Sequence, residues 1–167
     1  MSGRAVPART GKRRDVHDRA LGLLAVRQRS RAELQRRLVG AGFGADEVAG
    51  ELRRLEGVGL IDDRAFARAV VDQAVGARGE GRRAVARRLS AAGVAPAIRD
   101  EVLEDLPADR ELERAVALAE ARAPRLLDVP PERAFSRLCG FLARRGFSPE
   151  VVRSAARRAL ALEALGE

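Results

Sequence analysis

The sequence predicts an all-α protein, an elongated array of three tandem three-helix repeats built from helix-turn-helix-like units. Composition is the first reason: Ala, Leu, Arg and Glu dominate the 167 residues, and all four are strong helix formers. Runs of alternating β-branched residues, the mark of half-buried strands, are missing. The second reason is a pattern, apolar–x3–apolar–x3–Gly–apolar, that occurs three times. It stands at Leu34/Leu38/Gly42/Phe43, Val85/Leu89/Gly93/Val94 and Leu138/Leu142/Gly146/Phe147. The i, i+4 step places two apolar side chains on one helical face, and the glycine falls where a helix stops in a left-handed residue. The third reason is the interval. The glycines recur after 51 and 53 residues, the length of one supersecondary unit that buries its core partly against its neighbours.

Each helix has its own signals. In the first repeat, a helix beginning near Asp15 carries Ala20, Leu21 and Leu24 inward. Ser30-Arg31-Ala32-Glu33 is a capping box for the second helix, which carries Leu34 and Leu38 and stops at Gly42. A third helix aligns Val48, Leu52 and Leu55 at i, i+4, i+7. Asp62 or Asp63 caps the next helix, whose inner face is Phe66, Val70 and Ala74. Gly76 to Gly81 is expected to be a glycine-rich loop, and it lacks the Gly-Lys-Ser/Thr ending and preceding strand of a phosphate-binding loop. Val85 and Leu89 mark the middle helix. Pro96 suits a first helical turn, followed by Ile98, Val102 and Leu106. In the last repeat, Leu112, Val116, Ala119 and Ala123 line a helix ending near Pro124. Pro130-Pro131 opens the next, with Phe135, Leu138 and Leu142 inward, and Ser148-Pro149-Glu150 opens the last, with Val152, Ala156 and Leu160. The expected domains are a disordered basic tail at 1–14 and repeats at 15–61, 62–106 and 107–167.

Charge is unevenly spread. Residues 1–14 hold Arg4, Arg9, Lys12, Arg13 and Arg14 and no acid, so they supply five of the eight net positive charges and leave three for the body. Within the body, arginines gather around Glu33, Glu80 and Glu150, at or beside each middle helix. Such clusters read either as salt-bridged surface or as a basic edge that suits a polyanion. The contact-face candidates are Arg82, Arg83, Arg87 and Arg88, with Arg36, Arg37, Arg144 and Arg145 beside them. Not all eight can point outward, so some are expected in structural ion pairs.

Nothing in the residues points to catalysis. His17, the only histidine, is expected as an exposed polar residue near a helix start. Cys139 is the only cysteine, so an internal disulfide is excluded, and it reads as a small core residue. A lone His and a lone Cys give no metal cluster; no cofactor is expected. Asp62-Asp63 is explained by capping. Phe43, Phe66, Phe135 and Phe147 fall at core positions, so any nucleic-acid contact is expected to be mainly electrostatic. The most apolar early stretch, Ala20 to Val26, is far shorter than the roughly 20 residues that span a bilayer. A cytoplasmic monomer with no membrane contact is the expectation.

Several motifs in order resemble the RecX family, regulators of the bacterial RecA recombinase. They are Ala20-Leu21, then Ser30-x-x-Glu33-Leu34-x3-Leu38-x3-Gly42-Phe43, and Gly59-Leu60-Ile61-Asp62-Asp63-x2-Phe66-Ala67. Gly81-x3-Val85-x3-Leu89-x3-Gly93-Val94 and Leu142-x2-Arg145-Gly146-Phe147 complete them. The resemblance spans roughly residues 16–160. It implies a row of three three-helix repeats that binds RecA filaments on DNA and restrains ATPase, strand exchange and coprotease activity by docking along the filament groove. From the charge pattern, single-stranded or duplex DNA is a further candidate partner through the basic face and the N-terminal tail; the tail lies outside the resemblance. The family often has Lys near Gly81, where this chain has only Arg. Two other readings stay open from the residues: a DNA-binding helix-turn-helix-type protein acting without RecA, and a helical scaffold for some other protein.

Overall fold

The computed structural model of the chain describes residues 15–161; the tail expected at 1–14 lies outside the described residues. Among the described residues there are nine α-helices and no strand. They are α1 (Val16–Val26), α2 (Arg31–Gly40), α3 (Ala45–Gly57), α4 (Asp63–Asp72), α5 (Arg82–Ala92), α6 (Pro96–Glu104), α7 (Ala108–Arg122), α8 (Pro131–Arg144) and α9 (Pro149–Ala159). The chain divides into two compact units, Met1–Ile61 and Asp62–Glu167.

The first unit packs α1, α2 and α3 around Leu34, Leu38, Val48, Leu52 and Leu55, all essentially inaccessible to solvent. On α1 the buried face is Val16, Ala20 and Leu23, not the expected Ala20, Leu21 and Leu24. Val16, Ala20 and Leu23 stand at i, i+4, i+7 and form one helical stripe. Leu21 is left exposed, and Leu24 only flanks the core. The second unit holds two cores. One gathers Phe66, Val71, Val85, Leu89 and Val102 from α4, α5 and α6. The other gathers Ala115, Ala119, Leu138, Leu142 and Ala155 from α7, α8 and α9.

The repeated motif closes its helix in the same way each time. Gly42, Gly93 and Gly146 have φ of 93°, 77° and 84°. The following amide then reaches back: Phe43, Val94 and Phe147 N–H donate to the carbonyls of Leu38, Leu89 and Leu142 at 3.3, 3.0 and 3.4 Å. This is a Schellman closure, and it lays the apolar residue after the glycine onto the helix just left. Caps fall where the side chains allow. Ser30 accepts from Glu33 N–H, Asp62 from Arg64 and Ala65 N–H, and Ser148 from Val151 N–H. The segment expected as a glycine-rich loop is instead partly helical. A π-helical turn, Gln73–Ala77, carries α4 onward with Ala74 buried, and the chain turns only after it.

The junction of repeats two and three

The basic clusters have different fates in the two units. In the first unit they are consumed by carboxylates. Arg29 is buried, donates to Leu23 O at 3.0 Å and to Glu33 Oε1 at 2.5 Å. Arg27 and Arg37 also bond Glu33, and Arg31 pairs with Glu56 at 2.9 Å. Burial pushes the Glu33 carboxyl up, but the hydrogen bonds and charges of Arg27 and Arg29 outweigh it and hold the group below its ordinary value. The candidate Arg37 is therefore part of a structural network, and Arg36 sits exposed beside it on α2. His17 is not the exposed residue expected: it is half-buried, its Nδ1 2.7 Å from Oε1 of the buried Glu51. Glu51 lies on the core side of α3, so a polar partner on α1 relieves its burial.

In the second unit the N-terminus of α5 is built onto other helices. Gly81 precedes α5 and has no side chain to cap it. Its first amides find partners elsewhere. Gly81 N–H donates to Arg145 O at 2.8 Å and Arg83 N–H to Gly146 O at 3.0 Å, so the positive end of α5 meets the negative end of α8. Arg82 N–H donates to Oε1 of the buried Glu111, on α7, at 2.8 Å. The Arg82 guanidinium turns the other way, to Leu103 O and Leu106 O at the end of α6, at 2.6 and 3.3 Å. The approach leaves no room for a side chain. A Cβ on Gly81 would stand 2.6 Å from Gly146 O, and one on Gly146 2.5 Å from Ala84 N.

Around this junction the candidate arginines separate. Arg82 is committed to carbonyls. Arg88 is bound bidentate by Glu80, at 2.6 and 2.7 Å, and those hydrogen bonds hold Glu80 below the ordinary carboxylate range against the opposing effect of burial. Arg145 donates to Arg78 O and lies 4.7 Å over the Phe141 ring, with Arg122 at 4.8 Å. Arg83, Arg87 and Arg144 are exposed and have no carboxylate within ion-pair distance among the described residues. They border three adjoining clefts. Arg122, Arg125, Arg137 and Arg144 line the first with Ser136 and Gly140. Arg83, Arg87 and Arg153 line the second, and Arg78, Arg87, Arg88 and Arg144 the third. Glu80 is the single carboxylate among all their lining residues. Sequence reading singled out Arg83, Arg87 and Arg144 but not Arg137 or Arg153. Arg137 and Arg144, at i, i+7, share a face of α8, and that spacing was a usable signal. Arg153 belongs to the sequence cluster around Glu150, and packing brings it from α9 beside Arg83 and Arg87 of α5.

These units are helical repeats, each of three α-helices. Family models for the first, second and third RecX three-helix domains match residues 17–55, 62–103 and 109–155. The chain is 35% identical over 153 residues to the regulatory protein RecX of Chlorobaculum tepidum, covering 92% of this chain and 93% of that one. It is 40% identical over 146 residues to that of Halorhodospira halophila, covering 84% and 86%. The crystal structure of RecX from Lactobacillus salivarius shares the fold at a TM-score of 0.78, with 22% identity over 88% of this chain and 95% of that one. The chain belongs to the RecX family of regulatory proteins. Its described helices include none long and apolar enough to cross a membrane.

Proposed function

We propose that this protein binds RecA filaments on DNA and restrains RecA ATP hydrolysis, strand exchange and coprotease activity, with the α5–α8 arginine face as its docking surface. The observation that carries the reading is the set of arginines, Arg83, Arg87 and Arg144, which have no carboxylate partner among the described residues and border adjoining clefts in a chain of the RecX family. Guanidinium groups without internal partners are free to clamp carboxylate or phosphate groups of a partner. No cofactor enters this role, and the monomer suffices for it. RecA hydrolysis of ATP on single-stranded DNA tests it, with this protein well below the RecA concentration. Strong suppression by the natural chain is expected. The double variant Arg83→Glu, Arg87→Glu should need at least about tenfold more protein for the same effect, a loss of about 1.4 kcal/mol. Equal suppression by both would overturn the docking assignment.

The same face favours a second reading, direct binding of single-stranded or duplex DNA through phosphate contacts. Neutralised phosphates release counterions, so affinity would fall steeply with salt. The body carries a net charge of only three, which argues against very strong binding. A steep slope together with no effect on RecA would favour this reading.

A further inference from the structure

We infer that the cleft between Arg83, Arg87 and Arg153 takes an acidic segment of a partner protein, anchored by one apolar side chain beside Gly140. The inference rests on the reading of the α5–α8 face as a protein-docking surface and names the chemistry that this surface recognises. The cleft has a volume of about 540 Å3. Its rim is three guanidiniums, two from α5 and one from α9, and its lining holds no carboxylate. Among the described residues none of the three has an ion-pair partner, so the rim matches carboxylates on an incoming chain. The rest of the lining is mostly apolar, with Cys139, Gly140 and Ala143 beside the nearly buried Phe147 and Val152, and Ser136 as its one hydroxyl. A charged rim around an apolar floor is the arrangement in which a buried anchor supplies affinity and the surrounding charges supply register.

Nucleic acid fits this floor poorly. Bases held without sequence preference stack on open aromatic rings, and here Phe147 is only 2% exposed. Phe141 lies under the Arg122 and Arg145 guanidiniums. Gly140 supplies the notch. It lies inside the continuous α8, where alanine has the better helix propensity, and a Cβ there would meet only the flexible tip of Arg144, at 3.2 Å. Gly22 and Gly50 are equally open, but Gly140 alone of the three lines clefts rimmed by arginine.

The test uses the full chain and three fluorescein-labelled probes: a short peptide of Asp and Glu with a central Leu, the same peptide with Ser in place of Leu, and a thymidine oligonucleotide. Anisotropy should show the Leu peptide binding about tenfold tighter than the Ser peptide, as expected for burying one leucine. Gly140→Leu fills the notch, keeps every charge and improves helix propensity, so it should abolish that preference while leaving oligonucleotide binding unchanged. A second measurement needs no variant. Saturating Leu peptide should slow iodoacetamide alkylation of Cys139 about tenfold, the oligonucleotide should not, and Cys139 is the only thiol in the chain. Equal affinity for the two peptides, or no protection of Cys139, overturns the inference. So does protection by the oligonucleotide alone, which would make the cleft a nucleic-acid site. If Gly140→Leu still suppresses RecA as the natural chain does, the anchored segment is not on RecA, and the reading of RecA regulation stands untouched.

Discussion

Cys139 shows how a residue's surroundings set its chemistry. Burial pushes its thiol above the ordinary value of 9.0, and the Arg153 charge partly offsets this. Alkylation should therefore be slow at pH 7.5 and rise up to and beyond pH 9. Arg153→Ala should slow it further at every pH below the midpoint, because the stabilising cation is lost. A rate unchanged by the variant would place Arg153 elsewhere in solution. Leu89 makes the corresponding case for the core. It is inaccessible to solvent, and its carbonyl closes the helix through Val94. Leu89→Ala should cost about 2–5 kcal/mol in urea unfolding. Exposed Leu127, at 82%, should cost almost nothing when changed to Ala.

Between elements, the docking of α5 on α8 depends on two glycines. Gly81→Ala brings a methyl group to 2.6 Å of backbone atoms that have no flexible end to move. The helices must part, so a loss of about 2–4 kcal/mol is expected by urea unfolding. An effect below about 0.5 kcal/mol, the size of an ordinary surface substitution, would mean that the junction is loose. The acidic groups bordering the helices add a pH dependence whose sign follows from their shifts. Glu33 and Glu80 both lie below 4.5 in the folded chain. Their contribution is fully present above the unfolded value near 4.5 and disappears as pH falls through the folded values. Glu33→Gln and Glu80→Gln should each flatten the acid limb of a stability–pH curve. A limb unchanged in either variant would assign acid sensitivity to other carboxylates.

At the level of the whole molecule, no core is shared between the units: the first has one and the second has two. The fragment 62–167 should therefore keep its helicity and unfold cooperatively when heated. The fragment 62–106 should not, since it loses Glu111, Arg145 and Gly146 as acceptors for the first amides of α5. Circular dichroism of both fragments checks this, and a well-folded 62–106 would show that the junction is dispensable.

Helix existence, most boundaries and the three closures were legible because they rest on local chemistry. Ser, Asp and Pro fix starts, a left-handed glycine fixes stops, and apolar spacing fixes the inner face. Register failed on α1, where the start beside Asp15 was as expected but Leu23 faces the core in place of Leu21 and Leu24, and the π turn after Asp72 was hidden because a glycine-rich stretch reads as a loop. The site was legible only in part. Arginine clustering is a one-dimensional fact, and the sequence determined from it which helices are basic. Which arginines remain free is a matter of who lies across from them. Packing gave Arg82 to the carbonyls of Leu103 and Leu106, and brought Arg153 of α9 beside Arg83 and Arg87 of α5. Local patterns determine helices because their hydrogen bonds close within four residues. Only the tertiary structure decides which charges stay unpaired, because partners such as Glu111 for Arg82 N–H and Glu101 for Arg64 are brought across from other helices.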